Sequence, residues 1–470
     1  MSKLNPLTKS GSDDSVKLAG GSGLRAAKQD NISLLRRAVL ANLLWEDVAY
    51  MDGESVSKQI ETLVPLCSPQ EVNDLAIEAR VNQKLRHIPL FLAVQMLKYE
   101  KHKALVSSLL PKIVTRPDMI TDFVAIYAKC NGGKVKPMPN SAKKGLAASF
   151  DNFTEYQFAK YDRDAAIKLR DVMFLVHPTP KQGKEELYKK IADRTLNIPD
   201  TWEVALSTGK DKKETWTRLI NENKLGGLAM LRNIRNMKSA DVDKKIIVKG
   251  LESIKSQMLL PLNFFSSAKV NPEFSREIED VMIGSYKNLP KLPGRTLFIV
   301  DVSGSMGSPN SSNSAYCRLD HACIMATLAA NQCEDYELVC TAGNDGSGVG
   351  AHTHIKYPTK GFSLSQEIID TRKKIGGGGI FTRQCLEWCK ENVSGDFDRI
   401  IVFSDSQDCD RGNKIPNPYG KYNYICDVSS HTRGINFKGK WSAEISGFSE
   451  HFITFIAGFE GIENKFEDLN

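Results

Sequence analysis

One change of hydropathy rhythm constrains this chain more than any other feature. From about residue 31 to residue 288, apolar residues recur three and four positions apart, which lays a stripe along a helix. Ser33 can cap the first such segment, which carries Leu34, Leu35, Ala38, Val39, Leu43 and Leu44. Similar segments follow at 56–66, 70–81, 90–99, 103–110, 119–127, 142–150, 154–161 and 165–176, and then to residue 286. That predicts roughly fifteen helices on short connectors, with no convincing strand among them. The rhythm breaks at Leu289-Pro290-Lys291-Leu292-Pro293-Gly294, a turn-rich linker. Directly after it, Thr296-Leu297-Phe298-Ile299-Val300 is a continuous apolar run rich in β-branched residues, as in a strand buried on both faces of a parallel sheet. Helical spacing at 319–330, 363–374 and 383–392 then alternates with strands at 336–341, 399–403 and 422–428; segment 450–459 fits either. The fold class is therefore α + α/β: an α-solenoid followed by a doubly wound domain. The expected division is an irregular segment 1–30, a helical domain 31–288, a linker 289–295 and an α/β domain 296–470.

Charge and cysteine divide at the same place. The net charge of +7 is mild for 470 residues. Up to Pro290, however, there are 45 Lys and Arg against 34 Asp and Glu, and after it 18 against 22. A basic half is joined to an acidic half. Eight of the ten cysteines lie in the acidic half. No export signal or long apolar run is evident, so they read as reduced thiols of a cytoplasmic protein that enters no membrane. Cys385 and Cys389, or His352 and His354, come nearest to zinc spacing, but small buried hydrophobes are the plainer reading.

The first strand of the α/β half ends in Asp301-Val302-Ser303-Gly304-Ser305-Met306. In open α/β sheets, ligands bind beyond the carboxyl ends of the strands. A carboxylate and two hydroxyls emerge there at i, i+2 and i+4, a donor set suited to a hard divalent cation such as Mg2+. A later strand ends in Phe403-Ser404-Asp405-Ser406, and the loop Gly376-Gly377-Gly378-Gly379 leads to Thr382. A simple turn with a strand-end carboxylate is the bland alternative. The glycine run lacks a following Lys-Ser/Thr, so it is no P-loop, and Asp301 and Ser305 stand where a GxSxG elbow needs glycine. A phosphatase-like use of Asp301 and Asp405 with Mg2+ is the catalytic alternative, but the expectation is a protein that is not an enzyme.

Together Asp301-x-Ser303-x-Ser305, Thr382 and Asp405 resemble the metal-ion-dependent adhesion site of von Willebrand factor A domains. The resemblance implies a cation on Asp301, Ser303 and Ser305, with Thr382 and Asp405 completing the shell. It further implies a position left for an acidic group of a partner. One departure is that Ile380 and Phe381 separate Thr382 from the glycines, where related proteins place the Thr directly after them.

The basic half concentrates its charge: residues 101–150 hold nine Lys or Arg against two Asp. The loop Asn131–Pro137 is followed by Lys143 and Lys144. A solvated face is the ordinary meaning of such a run, and a polyanion site the functional one. Tyr127, Phe150, Tyr156 and Tyr161 are candidate stacking groups for unpaired bases. More specific strings follow: Gln157-Phe158-Ala159-Lys160-Tyr161-Asp162-Arg163, then Lys168-Leu169-Arg170-Asp171 running to His177-Pro178. Further on come Trp216, Leu231-Arg232-Asn233-Ile234-Arg235-Asn236-Met237 and Leu260-Pro261-Leu262. In this order, before DVSGSM, they resemble the TROVE module followed by an A domain, as in Ro ribonucleoproteins. The resemblance implies HEAT-like repeats closed into a ring. It implies small structured noncoding RNA of the Y type on the outside, and single-stranded 3′ ends of defective RNA in the central hole. It places Lys160 and His177 at RNA contacts with Arg163 and Arg170 beside them, and implies an exoribonuclease as a protein partner. On this reading the chain is a non-catalytic protein of RNA quality control or small-RNA stabilisation, without a role on DNA. His177 taken alone would be a core histidine. The alternative for the whole chain is a metal-dependent protein-interaction scaffold that binds no RNA.

Overall fold

The computed structural model describes residues 15–17, 25–27, 30–40, 53–162, 165–207, 209, 211–255, 259–310, 314, 316–410, 417–428, 441–447 and 449–462. The chain divides into two compact units, one of Lys58–Ile254 and one of Met1–Ser57 with Lys255–Asn470.

Helices are the regular elements of the first unit, and no strand occurs among its described residues. Its helices begin where the sequence supplies partners for their orphan N–H groups. Ser68 caps Pro69–Val81 in a capping box with Glu71, and Pro69 occupies the first turn, where no N–H is needed. Thr154 and Gln157 do the same for Glu155–Tyr161. His87–Met96 is buried on every side, which suits its almost wholly apolar sequence. Glu100–Ile113 packs against Asn140–Ser149 and approaches it closely at Gly145. A Cβ there would lie 2.9–3.0 Å from the Leu110 side chain. Further along, Trp216 is buried and its ring stacks on Trp202 at 5.8 Å. Met230, Leu231, Ile234 and Met237 are buried on one face of Gly227–Ser239, while Arg232 and Arg235 are exposed on the other.

The second unit is built on a mixed sheet. A short antiparallel ladder of β1 (Ser15–Lys17) and β2 (Arg25–Ala27) precedes it in the chain, so the segment expected to be irregular contains paired strands. The sheet itself consists of β3 (Leu292–Asp301), β4 (Cys333–Asn344), β5 (Val349–Ile355), β6 (Arg399–Ser404), β7 (Tyr422–Asp427) and β8 (Ala443–Ser446). Their order is β5-β4-β3-β6-β7-β8, parallel except for the edge strand β5. One face packs Leu297, Ile299, Val339, Ile400, Val402 and Ile425 against Cys385, Leu386 and Cys389 of the helix Thr382–Asn392. The strand order reverses direction between β3 and β6, which makes the ends of these two strands a topological switch point.

Several expectations change. The strand β3 begins at Leu292, so the last linker residues already pair with Gln332 and Cys333. The helix Pro261–Val270, unmarked by the periodicity, packs on Arg318–Ala330, and Phe265 meets Phe362 at 5.6 Å. Glu279 of Ser275–Ser285 accepts the Phe362 N–H at 2.9 Å. These contacts carry residues 255–288 into the α/β unit, so the boundary of the compact units falls after Ile254 rather than in the linker. Helix Asn31–Leu40 joins the same unit: Arg37 is buried against Asp427 of β7 and Glu444 of β8. Segment 450–459 resolves as the helix His451–Phe459. No helix among the described residues is long and apolar enough to cross a membrane.

Candidate functional site

In the helical unit, Lys143 and Lys144 stand on Asn140–Ser149, and His177 ends the helix Leu169–Val176. The two helices pack together, and all three side chains line one open cleft of about 530 Å3 with Asn140, Asp151 and Thr179. His177 is exposed, not a core residue. Its backbone is left-handed (φ 48°, ψ 61°), which ends the helix and turns the chain into Pro178. This conformation is costly for a residue with a Cβ and collects at functional positions. Asp151 is committed within the cleft: its Oδ1 accepts from Tyr188 Oη at 2.8 Å, and Lys181 lies 3.6 Å from Oδ2. The cleft therefore carries more positive charge than its single carboxylate can balance.

The other candidates sit apart from this cleft lining. Arg170 is exposed on the same helix as His177, and its guanidinium lies 5.2 Å from the ring centre of Phe174. Phe174 is 51% exposed. An exposed ring backed by a guanidinium is a platform on which a base can stack; only an i, i+4 Arg–Phe spacing signals it in sequence. Lys160 lies 5.7 Å from the ring centre of Tyr161, with Arg116 at 4.6 Å. Arg163 lies outside the described residues. Among the candidate stacking rings, Tyr127 and Phe150 are buried in the core, and Tyr127 Oη donates to the Pro137 carbonyl. Tyr156 is exposed.

In the α/β unit, the switch point gathers Asp301, Ser303, Ser305 and Asp405. Asp301 ends β3 with no exposed surface. Its Oδ1 accepts the Ser303 N–H at 2.8 Å and its Oδ2 the Ser404 hydroxyl at 2.6 Å. Burial, reinforced by the charge of Asp405, pushes the Asp301 carboxyl up to about 7. The hydroxyls of Ser303 and Ser305 are 3.2 Å apart. Gly304 donates its N–H to the Gly378 carbonyl at 2.9 Å, and a Cβ on Gly304 would meet the Gly377 carbonyl at 2.8 Å. The glycine loop thus folds directly over the DxSxS turn. Asp405 is fully buried; Arg318 Nη1 donates to its Oδ2 at 2.6 Å, while its Oδ1 is buried without a hydrogen-bond partner.

Thr382 is brought to a different carboxylate. Its N–H donates to Asp408 Oδ1 at 3.1 Å, and burial with the charge of Asp410 pushes Asp408 up to about 7. The two intervening residues have a structural use. Ile380 forms a parallel bridge with Asp408 and accepts the Cys409 N–H at 2.8 Å, and both Ile380 and Phe381 are fully buried. Cys385 and Cys389 lie in the core with their sulfurs 4.0 Å apart. Among the described residues no three His, Cys, Asp or Glu side chains converge as metal ligands. A cation at the switch point would therefore rest on two carboxylates and on hydroxyls. The orphan Oδ1 of Asp405 and the paired serine hydroxyls fit a hard cation, while Arg318 already holds the other Asp405 oxygen.

Residues 194–282 match the sequence profile of the TROVE domain. The chain carries a TROVE-domain segment. The matched segment contains Trp202, Trp216, Leu231, Ile234 and Met237 and does not include the residues that line the basic cleft. It spans the end of the helical unit and the first helices of the α/β unit. Among solved structures, this chain is similar to the Deinococcus radiodurans RO (RSR) protein. The TM-score is 0.54 at 14% identity, covering 93% of this chain and 100% of that one, which shows a shared fold. No curated protein matches the chain in sequence.

Proposed function

We propose that this chain is a non-catalytic RNA-binding protein. It takes small structured noncoding RNA of the Y type and single-stranded ends of defective RNA, in RNA quality control or small-RNA stabilisation. The observation that carries this reading is the cleft where Lys143, Lys144 and His177 converge, with the Arg170–Phe174 platform on the helix that His177 ends. The ammonium groups neutralise phosphates, and the exposed ring stacks on an unpaired base. A HEAT-like ring closed by a von Willebrand factor A-like domain is the architecture this reading expects.

The test is to purify the protein from cells and sequence what co-purifies with it. Enrichment of a small RNA supports the reading, and nucleic acid of random sequence or none at all counts against it. With that RNA in hand, Lys143→Glu combined with Lys144→Glu should weaken binding at least about tenfold, if each phosphate contact is worth about 1 kcal/mol. The dependence of affinity on salt should become shallower in the same variant.

A second reading concerns the switch point and does not exclude the first. Asp301, Ser303 and Ser305, with Asp405, would hold a divalent cation, Mg2+ being the expected one, and Thr382 would complete the shell only by leaving Asp408. When bound, the cation supplies a Lewis-acidic position for a carboxylate of a protein partner such as an exoribonuclease. The chain's own residues orient the hydroxyls and exclude water. The orphaned Asp405 Oδ1 favours this reading, and Asp301→Ala should abolish partner capture without altering RNA affinity.

A further inference from the structure

Arg318 opens the helix Arg318–Ala330 and is 2% exposed, although it carries a permanent charge. Its Nη1 lies 2.6 Å from Asp405 Oδ2. Its backbone is tied to the switch point as well, since its N–H donates to the Ser308 carbonyl at 3.2 Å, just beyond the DxSxS turn. Neighbouring residues pin this loop: Pro309 bridges Cys317, and Asn310 donates to the Tyr316 carbonyl at 3.1 Å. The guanidinium is therefore a fixed part of the site and not a surface group that happens to reach it.

We propose that Arg318 is a built-in counter-cation of the switch-point site, holding Asp405 when no metal is bound and setting how tightly a divalent cation binds. This rests on the reading of Asp301, Ser303 and Ser305 as a cation site. The affinity of oxygen sites for hard cations is tuned by the charge of their ligands. Two ionised carboxylates present a charge of −2 to an incoming ion; with Arg318 beside them they present −1. A cation that recruits Asp405 must also draw it from a guanidinium already hydrogen-bonded to it. In a buried site, where screening is weak, both effects lower affinity. The guanidinium also provides for the apo protein. Without it, Asp405 and Asp301 would be two neighbouring buried carboxylates that lack the guanidinium bonded to Asp405, a costly arrangement.

The experiment is calorimetric titration of Mg2+ into the full chain, comparing the wild type with Arg318→Gln and with Asp301→Ala. Arg318→Gln should bind Mg2+ at least about tenfold more tightly than the wild type, and Asp301→Ala should bind none. Equal or weaker binding by Arg318→Gln, with binding by the wild type retained, overturns the role of Arg318 and leaves the cation site standing. Absence of Mg2+ binding by both proteins, each folded, overturns the cation site and with it this inference. If Arg318→Gln unfolds in chelator, millimolar Mg2+ should restore its fold, because the metal then supplies the missing counter-charge. Failure of Mg2+ to restore it overturns the proposal.

Discussion

His321 lies next to the switch-point helix start and is buried; burial pulls its imidazole down to about 4. Lowering the folded value below the ordinary 6.5 means that the unfolded chain takes up the proton first. The contribution of His321 to stability is then full above pH 6.5 and is lost as the pH falls from 6.5 to 4. The loss should be on the order of 3 kcal/mol. Urea unfolding should show the wild type losing about that much relative to His321→Gln between pH 7 and pH 4.5, because the raised carboxyls of Asp301 and Asp408, which gain stability over the same range, are common to both proteins. At this scale, what could be read from sequence depended on distance along the chain. Asp301, Ser303 and Ser305 stand at alternate positions, so a strand end presents them together and the pattern is visible. Arg318 was invisible because its partner Asp405 is 87 residues away, and an arginine opening a helix looks like a solvated one. His177 was visible only through its neighbours, since its left-handed backbone leaves no mark in composition.

Elements were legible where they bury an apolar stripe. The central strands β3 and β6 announced themselves as apolar runs because both faces are covered. The edge strand β5, Val-Gly-Ala-His-Thr-His-Ile, has glycine and histidine where an apolar run would be expected. In β8, four residues long, the buried Glu444 is made tolerable by a partner from far upstream. Helix Pro261–Val270 was hidden by its proline, which is harmless at the first helical position. Gly145 is the element-scale test. Its missing Cβ lets Asn140–Ser149 approach Glu100–Ile113, with the Val106 carbonyl 3.0 Å from where the atom would be. Alanine ordinarily favours a helix over glycine, but here it must push two helices apart. Gly145→Ala should cost about 1–3 kcal/mol, read as a lower melting temperature. It should also weaken RNA binding, because Lys143 and Lys144 ride on the displaced helix.

For the whole molecule, the sequence shows one change of character and suggests two domains in series. The compact units are instead nested, with Lys58–Ile254 inserted between two parts of the other. Hydropathy could not show this, because nesting depends on pairings between distant residues and not on local rhythm. The buried contacts of Arg37 with Asp427 and Glu444 supply the test. Arg37→Met removes the guanidinium that opposes two buried carboxylates, which should cost about 3–5 kcal/mol of unfolding free energy. The loss should appear in the α/β unit, where β7 and β8 lie, and urea unfolding followed by hydrogen exchange would locate it. Protection in Lys58–Ile254 should persist.

The same pairing fixes a timetable. Arg37 and Glu444 are 407 residues apart, and a ribosome adds about 5–20 residues per second. The helix carrying Arg37 therefore emerges about 20–80 s before the carboxylates that receive its charge. During that interval the inserted helical unit has all of its own sequence and can close first. The α/β unit must wait for its last strands, with an arginine made for the interior still in water. A nascent chain of this protein would then expose its basic cleft before its acidic unit exists.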